Sequence, residues 1–341
     1  MSKSLSNKIA NMAFLCAVMV LFIHMPWGRA QMLARIFPHG IGKIAVPYFF
    51  VASGYLLARH FGENHWYRDV VAKRMKTLLL PMIIWSFLYF IVERLIMPVC
   101  ANVMSGRAIA TGIGFNFDIG TIARALAIHP LAQPYLEPLW FLRILFVLVL
   151  ISPLLWKTAK PCLFLSLYLL IGIVYPDYGE TIHPSWSFLR RLYPLMLGMV
   201  FSQIGIYLNR CKNELPRYNG WVLIIVAALL ILVRECNGGP YASFFTRRIS
   251  WLYTPILLAG IWSICPAKRL PNILAGSSFP IYLTHMFVIS PLKTTYKGVI
   301  SNMGSFEYIS IGMAVAMGCM GASFVVHRFM PKVAELLFGG R

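Results

Sequence analysis

Two histidines and a few arginines sit inside otherwise apolar sequence, and their types invite chemistry. His24 closes the apolar run 12–23, and His285 lies within a later one, Ser278-Phe-Pro-Ile-Tyr-Leu-Thr-His285. Imidazole exchanges protons near neutral pH, so either ring is suited to act as a general base toward a hydroxyl. Arg94, Arg143, Arg190, Arg191 and Arg234 occupy the ends or interiors of other apolar runs. A guanidinium held there can bind an anion, stabilise a developing oxyanion, or simply reach the headgroups. A third group is contiguous: Arg59, Arg68, Lys73, Arg74 and Lys76 share one short segment with only Glu63 and Asp69 against them. That density of charge suits a phosphorylated ligand, and equally suits a loop on the cytoplasmic side of a membrane.

Other chemistries lack their residues. The sequence has no HExxH, no histidine pair at metal spacing and no glycine-rich phosphate loop, and no Asp is placed to complete a Ser-His-Asp triad. The seven cysteines are scattered without ligand spacing, which points to core packing and to no bound metal. His39, His60, His65, His129, His183 and His327 fall in loops or at the ends of apolar runs.

The elements that must position these groups follow from composition. Of 341 residues 59% are apolar and 12% charged, with a mean hydropathy of +0.70, whereas a soluble protein is about half apolar and a quarter charged. So little charge cannot cover soluble domains, and a polytopic all-α membrane protein remains. The net charge of +20 is therefore assigned to membrane surfaces and not to nucleic acid. Ten spans are expected at about 9–26, 41–59, 78–97, 138–156, 161–176, 188–207, 220–235, 248–265, 273–292 and 307–327, forming one membrane domain over 1–341. Lys and Arg are in excess in the segments that share a side with both termini, which places the N- and C-termini in the cytoplasm. His24, Arg143 and His285 then lie in the outer leaflet, with Arg143 about 8 Å below the outer end of its span. No cleavage site follows the first run, where His24-Met25-Pro26-Trp27 stands instead, so that run is expected to be a retained span.

Five segments, taken together, resemble the acyltransferase-3 family of bacterial integral membrane O-acyltransferases. Met12-Ala-Phe-Leu-Cys-Ala-Val-Met-Val-Leu-Phe-Ile-His24 is similar to the family's first helix with its terminal histidine. Val46-Pro-Tyr-Phe-Phe-Val-Ala-Ser-Gly-Tyr-Leu-Leu57 is similar to its second span, Lys73-Arg74-Met75-Lys76 before Pro81 to its basic segment, and Pro138-Leu-Trp-Phe-Leu-Arg143 to the start of its fourth span. Ser278 to His285 resembles its late Tyr-x-x-His helix.

The resemblance implies transfer of an acyl group, usually acetyl, from cytosolic acyl-coenzyme A to a hydroxyl of a cell-envelope or lipid-linked glycan, in the bacterial inner membrane and with no bound cofactor. In that frame His24 is the general base and Arg143 the oxyanion stabiliser, while Lys73, Arg74 and Lys76 hold the coenzyme A phosphates. Ser53, Trp140, Arg190, Arg191, Tyr282 and His285 are candidates for acceptor binding or for structure. Two positions depart from the family. Ala13 stands where members carry an arginine, eleven residues before the histidine and on the same helix face about 16 Å deeper. Pro47 stands where many members have an acidic residue, which leaves His24 without an evident acidic orienting partner. The competing readings are a non-enzymatic transporter or flippase of a glycan, and a degenerate family member. The oligomeric state is left open.

Overall fold

The computed structural model describes residues 2–96, 119–126, 136–174, 187–211, 219–236, 244–295 and 302–340. Cys100, His129, His183 and most of the segment 98–137 lie outside them. Every regular element among the described residues is helical. In chain order these are α1 (Lys3–His24), α2 (Gln31–Ile36), α3 (Ala45–Ala58), α4 (Trp66–Arg74), α5 (Leu80–Ile91), α6 (Ile119–Ala125), α7 (Leu139–Leu150) and α8 (Ser152–Thr158). They continue with α9 (Pro161–Val174), α10 (Ser187–Arg210), α11 (Gly220–Cys236), α12 (Phe244–Ile264), α13 (Asn272–Ala275), α14 (Ser278–Thr295), α15 (Ser305–Phe329) and α16 (Pro331–Phe338).

Five stretches among the described residues are long and apolar enough to cross a membrane: Lys3–His24, Gln31–Ala58, Trp66–Arg94, Leu192–Arg210 and Ser305–Phe329. A sixth results if α7 and α8, bent by 73° at their junction, form one span. Pro153 explains the bend, because it has no N–H to return to the Val149 carbonyl. The chain is thus a multi-pass membrane protein.

The chain divides into two compact units. The first comprises Met1–Ile23, Gln31–Val71 and Val147–Ser278. In it α3 and α10 meet backbone to backbone: a Cβ on Gly54 would collide with the Ser202 carbonyl, and one on Gly205 with that of Val51. Small residues allow this approach, and dispersion across it replaces the hydrophobic drive that lipid removes. Several side-chain donors in this unit find backbone carbonyls. Asn11 donates to Pro266 and Lys268, each at 2.8 Å, and the Tyr48 hydroxyl to Ile9 at 2.6 Å.

The second unit comprises His24–Ala30, Ala72–Phe146 and Phe279–Arg341. Here α5 packs on α14 through Trp85 against Phe287, ring centroids 5.1 Å apart, and through a 2.6 Å hydrogen bond from the Tyr89 hydroxyl to Ser290. The short α16 follows α15 and lies against α5, where the Trp85 indole donates to the Leu337 carbonyl at 2.8 Å. Between α4 and α5 runs one turn of π-helix, Met75–Leu79. Pro81 has no N–H for the carbonyl of Thr77, four residues earlier, and a local change of helical register accompanies that loss. Gly339, with φ +65°, approaches this same Thr77 carbonyl so closely that a Cβ would clash with it.

The basic segment, expected as a short loop, is therefore largely helical. Trp66–Arg74 forms α4 because Val70 buries one side of it in a cluster with Leu57 and Val149, leaving Arg68 and Lys73 exposed.

Candidate functional site

His24 is the last residue of α1, and its side chain is 18% exposed. It belongs to the second unit together with His285, Glu137, Arg143 and the Lys73–Lys76 segment. The His24 and His285 rings lie 5.4 Å apart at their centroids, tilted by 39°. On Nδ1, His24 faces the Glu137 carboxylate at 3.9 Å. This is too long for a direct hydrogen bond, yet near enough for the charge to favour a proton on that nitrogen. With Nδ1 protonated, Nε2 carries the lone pair, as a general base requires. Glu137 itself is 65% exposed and stands in the turn just before α7.

The beginning of α7 and the middle of α14 are joined by the residues flanking this pair. The Tyr282 hydroxyl donates to the Pro138 carbonyl, and the Tyr282 ring meets Phe141 edge-on at 5.8 Å. Tyr282 and His285, three positions apart, share a helix side, with ring centroids 6.3 Å apart. The Trp-Phe and Tyr-x-x-His segments thus meet at one place.

His285 is completely buried. Its Nδ1–H donates to the Ile281 carbonyl of the preceding turn at 2.9 Å, and because a carbonyl can only accept, this fixes the tautomer. Nε2 is then an acceptor, and no donor among the described residues reaches it.

The remaining candidates are distributed as follows. Arg143 is half-buried six residues after Glu137, and Trp140 is half-buried beside Phe141. Arg74 ends α4 half-buried, whereas Lys73 and Lys76 are exposed, Lys76 on the π-helical turn. Ser53 in α3 and Arg190 and Arg191 in the first turn of α10 belong to the first unit. So does Ala13, half-buried on α1. Lys8, too far round the helix to replace the family's arginine, lies with its ammonium 5.0 Å over the Trp262 ring. Among the described residues no group of three or more His, Cys, Asp or Glu side chains comes together as metal ligands.

Glu137 is the residue that sequence reasoning missed. Pro47 suggested that His24 lacked an acidic partner, but a carboxylate arrives from a segment more than a hundred positions away. The available signal was a rare acidic residue placed directly before the Pro138-Leu-Trp-Phe motif.

A family model described as "Acyltransferase domain" matches residues 11–328. The chain is 28% identical to the succinoglycan biosynthesis protein ExoH of Rhizobium meliloti (strain 1021), over 100% of this chain and 94% of that protein. No solved structure matches.

Proposed function

The chain belongs to the acyltransferase-3 family, and from that premise we propose that it is an O-acyltransferase moving an acetyl group from cytosolic acyl-coenzyme A to a hydroxyl of a cell-envelope glycan. The observation that carries this reading is the His24 imidazole, with Glu137 at 3.9 Å from its Nδ1 and a second imidazole beside it. A relative named for succinoglycan biosynthesis supports a glycan as acceptor.

His24 Nε2 takes the proton of the acceptor hydroxyl as its oxygen attacks the thioester carbonyl carbon. Negative charge collects on the carbonyl oxygen, where Arg143 is assigned to stabilise it. Collapse breaks the carbon–sulfur bond, and the departing thiolate of coenzyme A recovers the proton from His24. The new ester and free thiol balance the reaction without oxidant or metal. Glu137, 3.9 Å from Nδ1, acts through its charge, which offsets the transient positive charge on the ring.

Lys73, Arg74 and Lys76 are assigned to the coenzyme A phosphates, which cannot enter hydrocarbon. This assignment needs them on the cytoplasmic side of an inner membrane crossed ten times with both termini inside. A reporter active only outside the cytoplasm should then work when fused within 98–137 and stay silent within 60–76 or after Arg328. The reverse pattern would remove the proposed side of donor entry.

The function is tested with purified protein, acetyl-coenzyme A and an envelope oligosaccharide. Ester on the sugar together with an equal release of thiol is the expected result. Movement of glycan across a vesicle membrane without thiol release would favour the transporter reading. Release of no thiol, with acetylation restored by Ala13→Arg, would mark a degenerate copy.

A further inference from the structure

The mechanism above uses one of the two histidines. His285 has no carboxylate assigned to it, its Nδ1 proton is committed to the Ile281 carbonyl, and its ring is completely buried. With Nδ1–H committed to that carbonyl, the ring presents Nε2 as a hydrogen-bond acceptor. Its Nε2 is an acceptor without a donor among the described residues, and buried acceptors of that kind are rare unless a ligand or water serves them.

We propose that His285 Nε2 binds a second hydroxyl of the acceptor, next to the one that is acylated, so that the site takes a vicinal diol of a sugar in preference to an isolated alcohol. This deepens the acyltransferase reading and rests on it. The spacing of the rings carries the argument. Their centroids are 5.4 Å apart, and each ring nitrogen reaches a hydroxyl oxygen over about 2.8 Å. Neighbouring hydroxyl oxygens on a pyranose lie about one hydrogen-bond length apart, ~3 Å. A centroid separation of this size leaves room for two such hydroxyls to bridge the imidazoles, one on each ring. The division of labour follows from the surroundings: His24 has a carboxylate nearby and partial exposure, so it moves the proton, while His285, its Nδ1–H committed to Ile281, fixes which oxygen His24 meets. The rival donor for Nε2 is an amide N–H of the pantetheine arm, and the rival occupant is a lone water.

The test uses the full-length protein in detergent or nanodiscs with acetyl-coenzyme A. The acceptors are methyl glucoside, methyl galactoside and their monodeoxy analogues. Wild-type protein is expected to favour at least one diol over its monodeoxy analogue by about 10–10²-fold in kcat/KM, the scale of leaving a buried acceptor unpaired. In His285→Phe the preference should fall to near one through loss on the diol alone, while KM for acetyl-coenzyme A stays unchanged. His285→Gln retains an acceptor atom and should recover part of the preference. An undiminished preference in His285→Phe overturns the proposal, and so does a raised donor KM with the preference intact, which assigns Nε2 to pantetheine. If neither variant accumulates in the membrane, the wild type decides, since equal rates on every diol and its monodeoxy analogues leave Nε2 to water. Absence of transfer to any acceptor, with no thiol released, would instead sink the acyltransferase reading itself.

Discussion

The basic turn and the histidine pair belong to the same compact unit but are built in opposite ways. Lys73, Arg74 and Lys76 come from four consecutive positions, are mostly exposed, and are displayed by a local departure from α-helical register beside Pro81. His24, Glu137 and His285 come from three distant segments, and their arrangement depends on burial and on the Tyr282–Pro138 hydrogen bond. The basic turn offers charge that any phosphorylated ligand would feel over about a Debye length, and salt will weaken it. The histidine pair offers geometry, which salt leaves alone and which small displacements ruin. Under the proposed function, recognition of the donor and chemistry on the acceptor are thus separable by experiment.

The contrast is tested most severely at His24. His24→Gln keeps a hydrogen-bonding side chain that cannot act as a base, so acetyl transfer should fall by about 10²-fold or more. Thermal stability should move little, by the roughly 1 kcal/mol of one neutral hydrogen bond. Retention of full transfer rate by an inserted His24→Gln protein would falsify the assignment of the base. Next in size, Glu137→Gln should lower kcat by about 10-fold with KM for both substrates nearly constant, because it acts through the orientation and charge of His24. A loss confined to KM would make Glu137 a binding residue.

At the basic turn the expected effects are smaller and of another kind. Replacing Lys73, Arg74 and Lys76 together by Gln should raise the donor KM several-fold at low salt, and the difference from wild type should shrink as salt is added. Donor saturation indifferent to the three substitutions would return the segment to topology alone. The smallest change is expected at Gly339→Val, which places a β-branched residue at positive φ against the Thr77 carbonyl. Faster proteolysis beyond Phe329 and a donor KM raised by less than about threefold would show that α16 supports the turn, the modest size following from the 1–3 kcal/mol such strain costs. An unaltered cleavage pattern would detach α16 from that role.

How much of this was legible in the sequence divides along the same line. The helical membrane character follows from composition, and the basic cluster from contiguity, since both are local properties. The helix α4 was hidden within an apparent loop because a single buried residue, Val70, anchors it, and periodicity is hard to read over two turns. The backbone contact of Gly54 and Gly205 was equally out of reach: each glycine is unremarkable until the facing helix is known. The partner of His24 was sought at Pro47, near in sequence, while the structure supplies Glu137 from the turn before α7. A side-chain tautomer such as that of His285 depends on the carbonyl it meets, and no pattern of residue types encodes that.

The separation of His24 from His285 along the chain also sets a schedule for biosynthesis. The first histidine enters the membrane with the opening helix, the carboxylate follows midway, and the second imidazole arrives only with α14. At about 5–20 residues per second of synthesis, the first and last members are made roughly ten to fifty seconds apart. From Lys76 until His285 is made, the nascent chain carries its basic turn but lacks half of its imidazole pair. If the basic turn binds donor as proposed, the chain would gather donor before it could use it, and a ribosome that stops short of α14 leaves a product without the pair.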